Sequence, residues 1–489
     1  MAISIELCHG YDCKKRGSRL LKKRLEDVCN GLDYKIFENE CSGHCSKGPV
    51  ISIDGDTFYG NTTIFDQSDN KLRNFLENYH SITKIEGYCK KAKKKDCGLA
   101  VDIGTTIIKA SLNDLKTGKV YGEVSTINKQ GAYGATVLHR WNYFNKAKDK
   151  QENLKTLSGI VQKSVDSIQD YFVKKSNANI SKVILAGNTA MTYFFLNENP
   201  ALTIKQKPDY TSMKHKEGKT FLPCVFEWVG GDIVSGMTYL GFDRFDRNVM
   251  LIDLGTNGEV AVSTKHGVIL TAAASAGPAF EGEGFRCGMP AMKGAIHKVT
   301  FKNSKFKYKT LGSKKPAGIC GSGMLDLIAE MLANEAIDQS GRLDKEYKGE
   351  FFLTKNISIR QEEIDYFKES KAAIFATIQT LLQELGLKYD DLDAVYVAGG
   401  FGNMDLGKAQ FIGLLPPLGN YEFLGNTSLK GVQACFDKKN LKRSELIAKS
   451  STPIDLTKSD VWMKNYLEAL FFPHTNTYLF QDVLKKYMK

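Results

Sequence analysis

The sequence has no run approaching the ~20 consecutive apolar residues that a bilayer-spanning helix requires. Its opening residues, MAISIELCHGYDCKKRG, hold neither an apolar core nor a small-residue cleavage site. Both absences point to a soluble, cytoplasmic protein without a membrane partner. Aromatic stacking platforms are missing too. The basic clusters at Lys14–Arg24 and Lys90–Lys95 are not interleaved with aromatic side chains, which argues against nucleic acid as a ligand. The three tryptophans, Trp141, Trp228 and Trp462, are scattered and read as packing residues. With no export leader, the eleven cysteines are not expected to form a disulfide framework, which leaves metal ligands and small buried residues.

The 489 residues are too many for one ordinary core and imply two or three domains. A hydrophobic share of 42% and a charged share of 25% fit a globular chain rather than a disordered one. The net charge of +12, without a nucleic-acid signature, favours docking on an acidic protein surface, because complementary charge speeds encounter.

Residues 1–80 read as a small α/β module of order β-α-β-β-α, which predicts a thioredoxin-like sandwich. Ser4–Leu7, Lys35–Phe37, Val50–Ile53 and Thr57–Tyr59 are its strands. Gly17–Cys29 is a helix with Leu20, Leu21, Leu25 and Val28 near helical spacing, and Asn70–His80 closes the module. Residues 81–97, with their lysine run, read as a basic linker. The remainder, 98–489, contains a duplication. GLAVDIGTTIIK at 98–109 and MLIDLGTNGEVAV at 250–262 are each strand, Asp-x-Gly-Thr, strand. VILAGNTA at 183–190 and VYVAGGFGN at 395–403 are each a buried strand ending in Ala-Gly. Two similar α/β lobes about a cleft follow, 98–248 and 249–489, with an inserted subdomain in the second.

Four cysteines stand in two close pairs: Cys8 with Cys13, and Cys41 with Cys45, the second pair in a glycine-rich loop. Two thiolate pairs on neighbouring loops can bind tetrahedral zinc or a 2Fe–2S cluster. CHGYDCKKRGSRLLKKRLE followed by ECSGHCSKGPV resembles the thioredoxin-like 2Fe–2S ferredoxins, and that resemblance, over residues 4–75, implies the cluster and an electron-carrier role. Cys29 falls outside the pattern and reads as core; Cys89 and Cys97 have no assigned role.

Asp-x-Gly-Thr in a hairpin has a physical logic. Glycine permits a tight turn and close approach to phosphate, backbone N–H groups and threonine hydroxyls donate to phosphate oxygens, and the carboxylate can hold hydrated Mg²⁺. The two copies, with AGICGSGMLDL at 317–327, resemble the ASKHA superfamily of sugar kinases, actin and heat-shock chaperones. That resemblance implies ATP and Mg²⁺ as ligands. Asp102 and Asp253 are then the Mg²⁺ and water organisers, and Glu259 a carboxylate that either orients water or is simply a solvated strand residue. Gly104, Thr105, Thr106, Gly255, Thr256, Asn257 and Gly258 are the phosphate loops. Gly321 belongs to a connecting element, and Gly399, Gly400 and Gly402 form the adenosine motif. Glu281 is a weaker polar candidate; Cys287 and Cys320 read as core residues.

GNTAM, LIDLGTNGE, AGPAFEGEGFRCGMP, GICGSGMLDL, VAGGFGN, IGLLP and YLEALFFP narrow the resemblance to the reductive activators of corrinoid-dependent enzymes, from about residue 98 to residue 474. It implies a homodimeric ATPase that reduces a Co(II) corrinoid protein to Co(I). An activator of another low-potential metalloenzyme, a small-molecule kinase with a regulatory cluster, and a nucleotide-dependent chaperone are the competing readings. The electron donor is not legible. Two departures from the family are expected: a thioredoxin-like cluster module, and little room for a middle domain between linker and ATPase.

Overall fold

The computed structural model describes residues 3–15, 17–32, 34–39, 49–53, 56–59, 69, 85–133, 136–146, 150–200, 209–255, 257–282, 284–289, 291, 293–399 and 404–488. The chain forms two units: residues 1–235 with 428–445, and residues 236–427 with 446–489.

In the first unit, strands β1 (Ile3–Cys8), β2 (Tyr34–Asn39), β3 (Val50–Ile53) and β4 (Asp56–Tyr59) form a sheet of order β2-β1-β3-β4. β1 and β2 are parallel, and β3 runs antiparallel to both its neighbours. The helix Ser18–Val28 covers this sheet with Leu21, Leu25 and Val28, spaced i, i+4, i+7 on one face. Leu20, expected on that face, points to solvent. The expected closing helix at 70–80 lies outside the described residues.

The second sheet of this unit has the order β10-β11-β9-β6-β7-β8-β5. Its strands are β5 (Glu86–Cys89), β6 (Asp96–Ile103), β7 (Ile107–Asp114), β8 (Val120–Ile127), β9 (Asn179–Gly187), β10 (Lys214–Lys216) and β11 (Lys219–Phe221). β6, β7 and β8 are a meander, and β9 joins β6 in parallel through the long helix Lys150–Ser176. That helix buries Leu154, Leu157, Val161, Val165, Ile168 and Phe172, one per turn or nearly so. Of residues 81–97, read as linker, 86–89 form β5 and 96–97 open β6, joined by a short loop. β5 pairs antiparallel with β8, Ala92 is buried, and its N–H bonds Ser176 O at 2.8 Å. The lysine count masked a strand whose contacts are made by backbone rather than by apolar side chains.

The second unit repeats the plan. β12 (Val249–Leu254), β13 (Gly258–Ser263) and β14 (Ile269–Ala274) are the meander. Between β14 and the next strand of the main sheet lie β15 (Ala295–Lys302), β16 (Lys305–Thr310), β17 (Gly318–Ile319), β18 (Glu350–Thr354) and β19 (Ile357–Arg360), the inserted subdomain expected from sequence. β20 (Ala394–Gly399), β21 (Tyr421–Gly425) and β22 (Ser451–Pro453) complete the order β21-β20-β12-β13-β14-β22, with β20 parallel to β12 and β21 parallel to β20. Meander, crossover, then two parallel strands beside the first is the same topology in both units.

One edge of β15 is paired by side chains. Asp326 Oδ2 accepts from Val299 N and Glu330 Oε2 from Phe301 N, each at 3.0 Å, both acids lying on the helix Gly321–Ala333. Lys408 Nζ donates to Val299 O at 2.7 Å and lies 3.3 Å from Asp326 and 2.9 Å from Glu330. Burial raises the Asp326 carboxyl more than the ammonium lowers it. Lys408 thus neutralises two acids that do the work of a missing strand.

Candidate nucleotide and electron-carrier sites

The first hairpin joins β6 to β7 through Gly104, Thr105 and Thr106. Its carbonyls are anchored from one side: Asn128 Nδ2 donates to Gly104 O at 2.9 Å, and Arg140 Nη2 to Thr105 O at 2.5 Å. In a trans peptide the N–H points opposite to the preceding carbonyl. The N–H groups of Thr105 and Thr106 therefore face away from those anchors, and successive N–H groups on one side make an anion-binding concavity. Asn188 caps the helix Thr189–Leu196 by accepting from Met191 N, and its Nδ2 donates to Thr105 Oγ1 at 3.0 Å. The Thr105 hydroxyl is buried, with its oxygen already engaged. Asp102, one residue before the end of β6, accepts from Ser428 Oγ at 2.8 Å.

Two residues here escaped the sequence reading. Arg140, fully buried, has no local motif to betray it. Asp232 does have a signal: Gly-Gly-Asp at the head of the apolar helix Gly231–Leu240. A Cβ on Gly230 would lie 2.3 Å from Asn188 Cα, so only glycine lets this turn sit on the Asn188 turn. Asp232 accepts from Ile233 N at 2.9 Å. Burial, and after it the negative charge of Asp102, push its carboxyl far above the usual carboxylate range.

The second hairpin joins β12 to β13. Gly255 N donates to Asn257 O at 3.0 Å and closes a tight turn; Thr256 lies outside the described residues. Asp253 and Glu259 are register partners across the two strands and so share a face. Glu259 is buried, which removes the reading of a solvated strand carboxylate. Gly399 ends β20 at φ +102°, and a Cβ there would lie 2.1 Å from Leu254 O and 3.1 Å from Asp253 Oδ1. The adenosine-motif strand thus ends beside Asp253; Gly400 and Gly402 lie outside the described residues. Gly258 faces Ile374, whose Cγ1 would be 2.6 Å from an added Cβ, and Gly321 would place one 1.8 Å from Phe280 O. Both glycines make room for packing. Glu281 ends the turn Pro278–Glu281, and its side chain is outside the description. Cys320 is buried, whereas Cys287 is only partly so and rests at the core's edge.

Cys8 ends β1 and Cys13 lies in the short helix Tyr11–Lys15; both thiols are buried and pack together with Val50. Cys41 and Cys45 lie outside the described residues. Among the described residues no group of three or more His, Cys, Asp or Glu is placed to hold a metal. Cys29 is core, as expected. Burial raises the Cys89 thiol, and raises that of Cys97, with the charge of Asp114 second, to about 11.

A meander-and-crossover sheet whose first strand pair carries Asp-x-Gly-Thr and whose fourth strand ends in glycine is the frame of an ASKHA-type ATPase domain. Residues 247–484 match the family described as the C-terminal domain of RACo, the ASKHA domain, and residues 97–245 match the RACo middle region. The chain belongs to the RACo family of corrinoid reductive activators. It is 30% identical over 423 residues to the corrinoid activation enzyme RamQ of Eubacterium limosum, covering 77% of this chain and 70% of that one. It is 28% identical over 232 residues to the Co(II) methylated amine-specific corrinoid protein reductase of Methanosarcina barkeri, covering 42% of each. A solved reductive activator for corrinoid, iron–sulfur protein superposes with TM-score 0.72 at 34% identity, over 80% of this chain and 68% of that one. The match at 97–245 also corrects an expectation. The chain has the middle region for which the sequence reading leaves little room, because that region carries the first copy of the duplicated motif.

Proposed function

We propose that this protein uses ATP to drive one-electron reduction of a Co(II) corrinoid protein to Co(I), and so returns an inactivated partner to its working state. The observation that carries this is the combined match across residues 97–484 to a family whose named members are corrinoid activators and reductases. Within each hairpin the same residues have matching tasks. Thr105, Thr106 and Asn257 would donate to phosphate oxygens from turns whose carbonyls are tied down, with Thr256 in the corresponding second-hairpin position. Asp102 and Asp253 would hold hydrated Mg²⁺, each at the end of a buried strand. Asp232, whose carboxyl burial and the charge of Asp102 raise, would be a group near Asp102 able to take up a proton. Glu259 would orient water. A small-molecule kinase is the second reading, and it predicts ATP turnover that rises with a hydroxyl or carboxyl substrate.

The order β2-β1-β3-β4 with β3 antiparallel supports a thioredoxin-like reading of the N-terminal module. Cys8, Cys13, Cys41 and Cys45 would hold a 2Fe–2S cluster, which when bound supplies a one-electron carrier. One-electron transfer across ~59 mV is worth ~1.4 kcal/mol, so a gap of about 200 mV costs about 5 kcal/mol. A preference for one of two conformations by ~10⁴-fold supplies that much. The dimer and the cytoplasmic location belong to the same proposal; sedimentation checks the first.

The test is anaerobic: protein, ATP, Mg²⁺, a chemical reductant and a Co(II) corrinoid protein, followed by Co(I) absorbance. ATP-dependent Co(I) formation is expected. Hydrolysis that a corrinoid protein neither stimulates nor couples to cobalt reduction overturns the reading.

A further inference from the structure

The β15–β16 hairpin turns through Asn303 and Ser304, both at positive φ, the two-residue turn that keeps a hairpin in tight register. Lys298 is paired with Lys309, Thr300 with Lys307, and Lys302 with Lys305. Register partners share a face. Five lysines therefore stand on one face of a two-strand ribbon, two pairs of them directly opposite each other, and all five are exposed. The other face is apolar: Phe301 lies against Phe306, and Phe306 against Phe351.

Like charges directly across a ladder destabilise it. Here no carboxylate among the described residues offsets them. From residue 293 to residue 316 the sequence contains no acidic residue. Among the described residues no ion pair reaches these five lysines. The nearest helix spends its acids, Asp326 and Glu330, on the opposite edge of β15 and on Lys408. Lysines on β16 alone would be explained as protection of an edge strand. Lys298 and Lys302 stand on β15, whose other edge at this height is already held by Asp326 and Glu330, and need no such protection.

We propose that this lysine face docks an acidic protein surface, that of the electron acceptor. The inference rests on the function proposed above. The face has no arginine fork for phosphate and no aromatic ring for a base to stack on, so a protein carboxylate surface fits it better than nucleic acid. The strand length of about 17–20 Å makes it wider than the ~8 Å screening length at physiological salt. It therefore attracts as a patch, and salt weakens it.

The experiment compares the full-length protein with Lys298→Thr/Lys307→Thr/Lys309→Thr and with arginine at the same three positions. The KM for a Co(II) corrinoid protein is measured across a range of ionic strength. Binding of labelled polyglutamate and of a labelled single-stranded oligonucleotide is measured by anisotropy. The threonine variant should raise KM about 10-fold or more at low salt and flatten its salt dependence. Its kcat and partner-free ATP turnover should be unchanged, and Tm should be no lower. Arginine should restore the KM. A KM and salt dependence equal to wild type overturns the proposal, as does loss of oligonucleotide binding with polyglutamate binding intact. If wild-type protein reduces no corrinoid protein, the proposed function fails, and the polyglutamate arm still decides whether this face binds acidic polypeptide.

Discussion

Two half-buried aspartates, Asp102 and Asp232, lie close enough for the charge of the first to raise the carboxyl of the second, after burial. Asp102 has a hydroxyl donor in Ser428, whereas Asp232 has a backbone N–H, burial, and its neighbour's charge. The folded state therefore binds the Asp232 proton more tightly than the unfolded chain does. That contribution to stability is complete below the unfolded pKa and is lost as pH rises through the raised folded value. Asp232→Asn, which keeps the cap on Ile233, should raise Tm at about pH 8 and lose that advantage towards about pH 5. ATP turnover should fall about 100-fold or more if the proton held there is used. Thermal scans at the two pH values, with turnover measured alongside, separate the effects; an unchanged turnover would leave Asp232 a structural residue only.

At the scale of elements, β15 relies on a helix for hydrogen bonds that a strand would normally give. Replacing Lys408 with methionine leaves Asp326 and Glu330 facing each other with no cation. A cost of about 3–5 kcal/mol is expected, read as a lower urea midpoint. The double change Lys408→Met with Asp326→Asn should recover part of it. Gly321 makes a second element-scale test. With Phe280 O where its Cβ would go, Gly321→Ala should cost about 1–3 kcal/mol in stability while leaving the KM for ATP unchanged. A raised KM with normal stability would return Gly321 to the nucleotide site. Sequence could not make this distinction, since a packing glycine and a phosphate glycine look alike until the atom opposite is known.

At the scale of the molecule, the N-terminal module and the ATPase should be separable by function. Cys13→Ser or Cys41→Ser should remove about two irons and the red-brown colour while ATP hydrolysis persists. Metal analysis after anaerobic purification reads this directly, and stoichiometric zinc in the wild type would end the cluster assignment. The first unit takes in residues 428–445, far along the chain from the rest of it, so the lobe boundaries read from the repeat do not anticipate this segment. The lysine run at 90–95, read as part of a tether, is a loop pinned by backbone hydrogen bonds to Tyr121, Ser176 and Asn177, partners that lie distant in sequence.

Motif spacing within one stretch of chain was legible. The duplicated Asp-x-Gly-Thr hairpins, the strand-then-glycine elements, the inserted subdomain and the β-α-β-β order of the module are local patterns. Hydrophobic periodicity and turn chemistry act over a few residues and leave their mark there. Tertiary structure alone decided which side chains meet. Ser428 reaches Asp102 from 326 residues away, burial and then the charge of Asp102 raise the Asp232 carboxyl, and Lys408 is placed between two acids of another helix. Burial and electrostatic coupling depend on what folding brings near, and no window on the chain contains both partners.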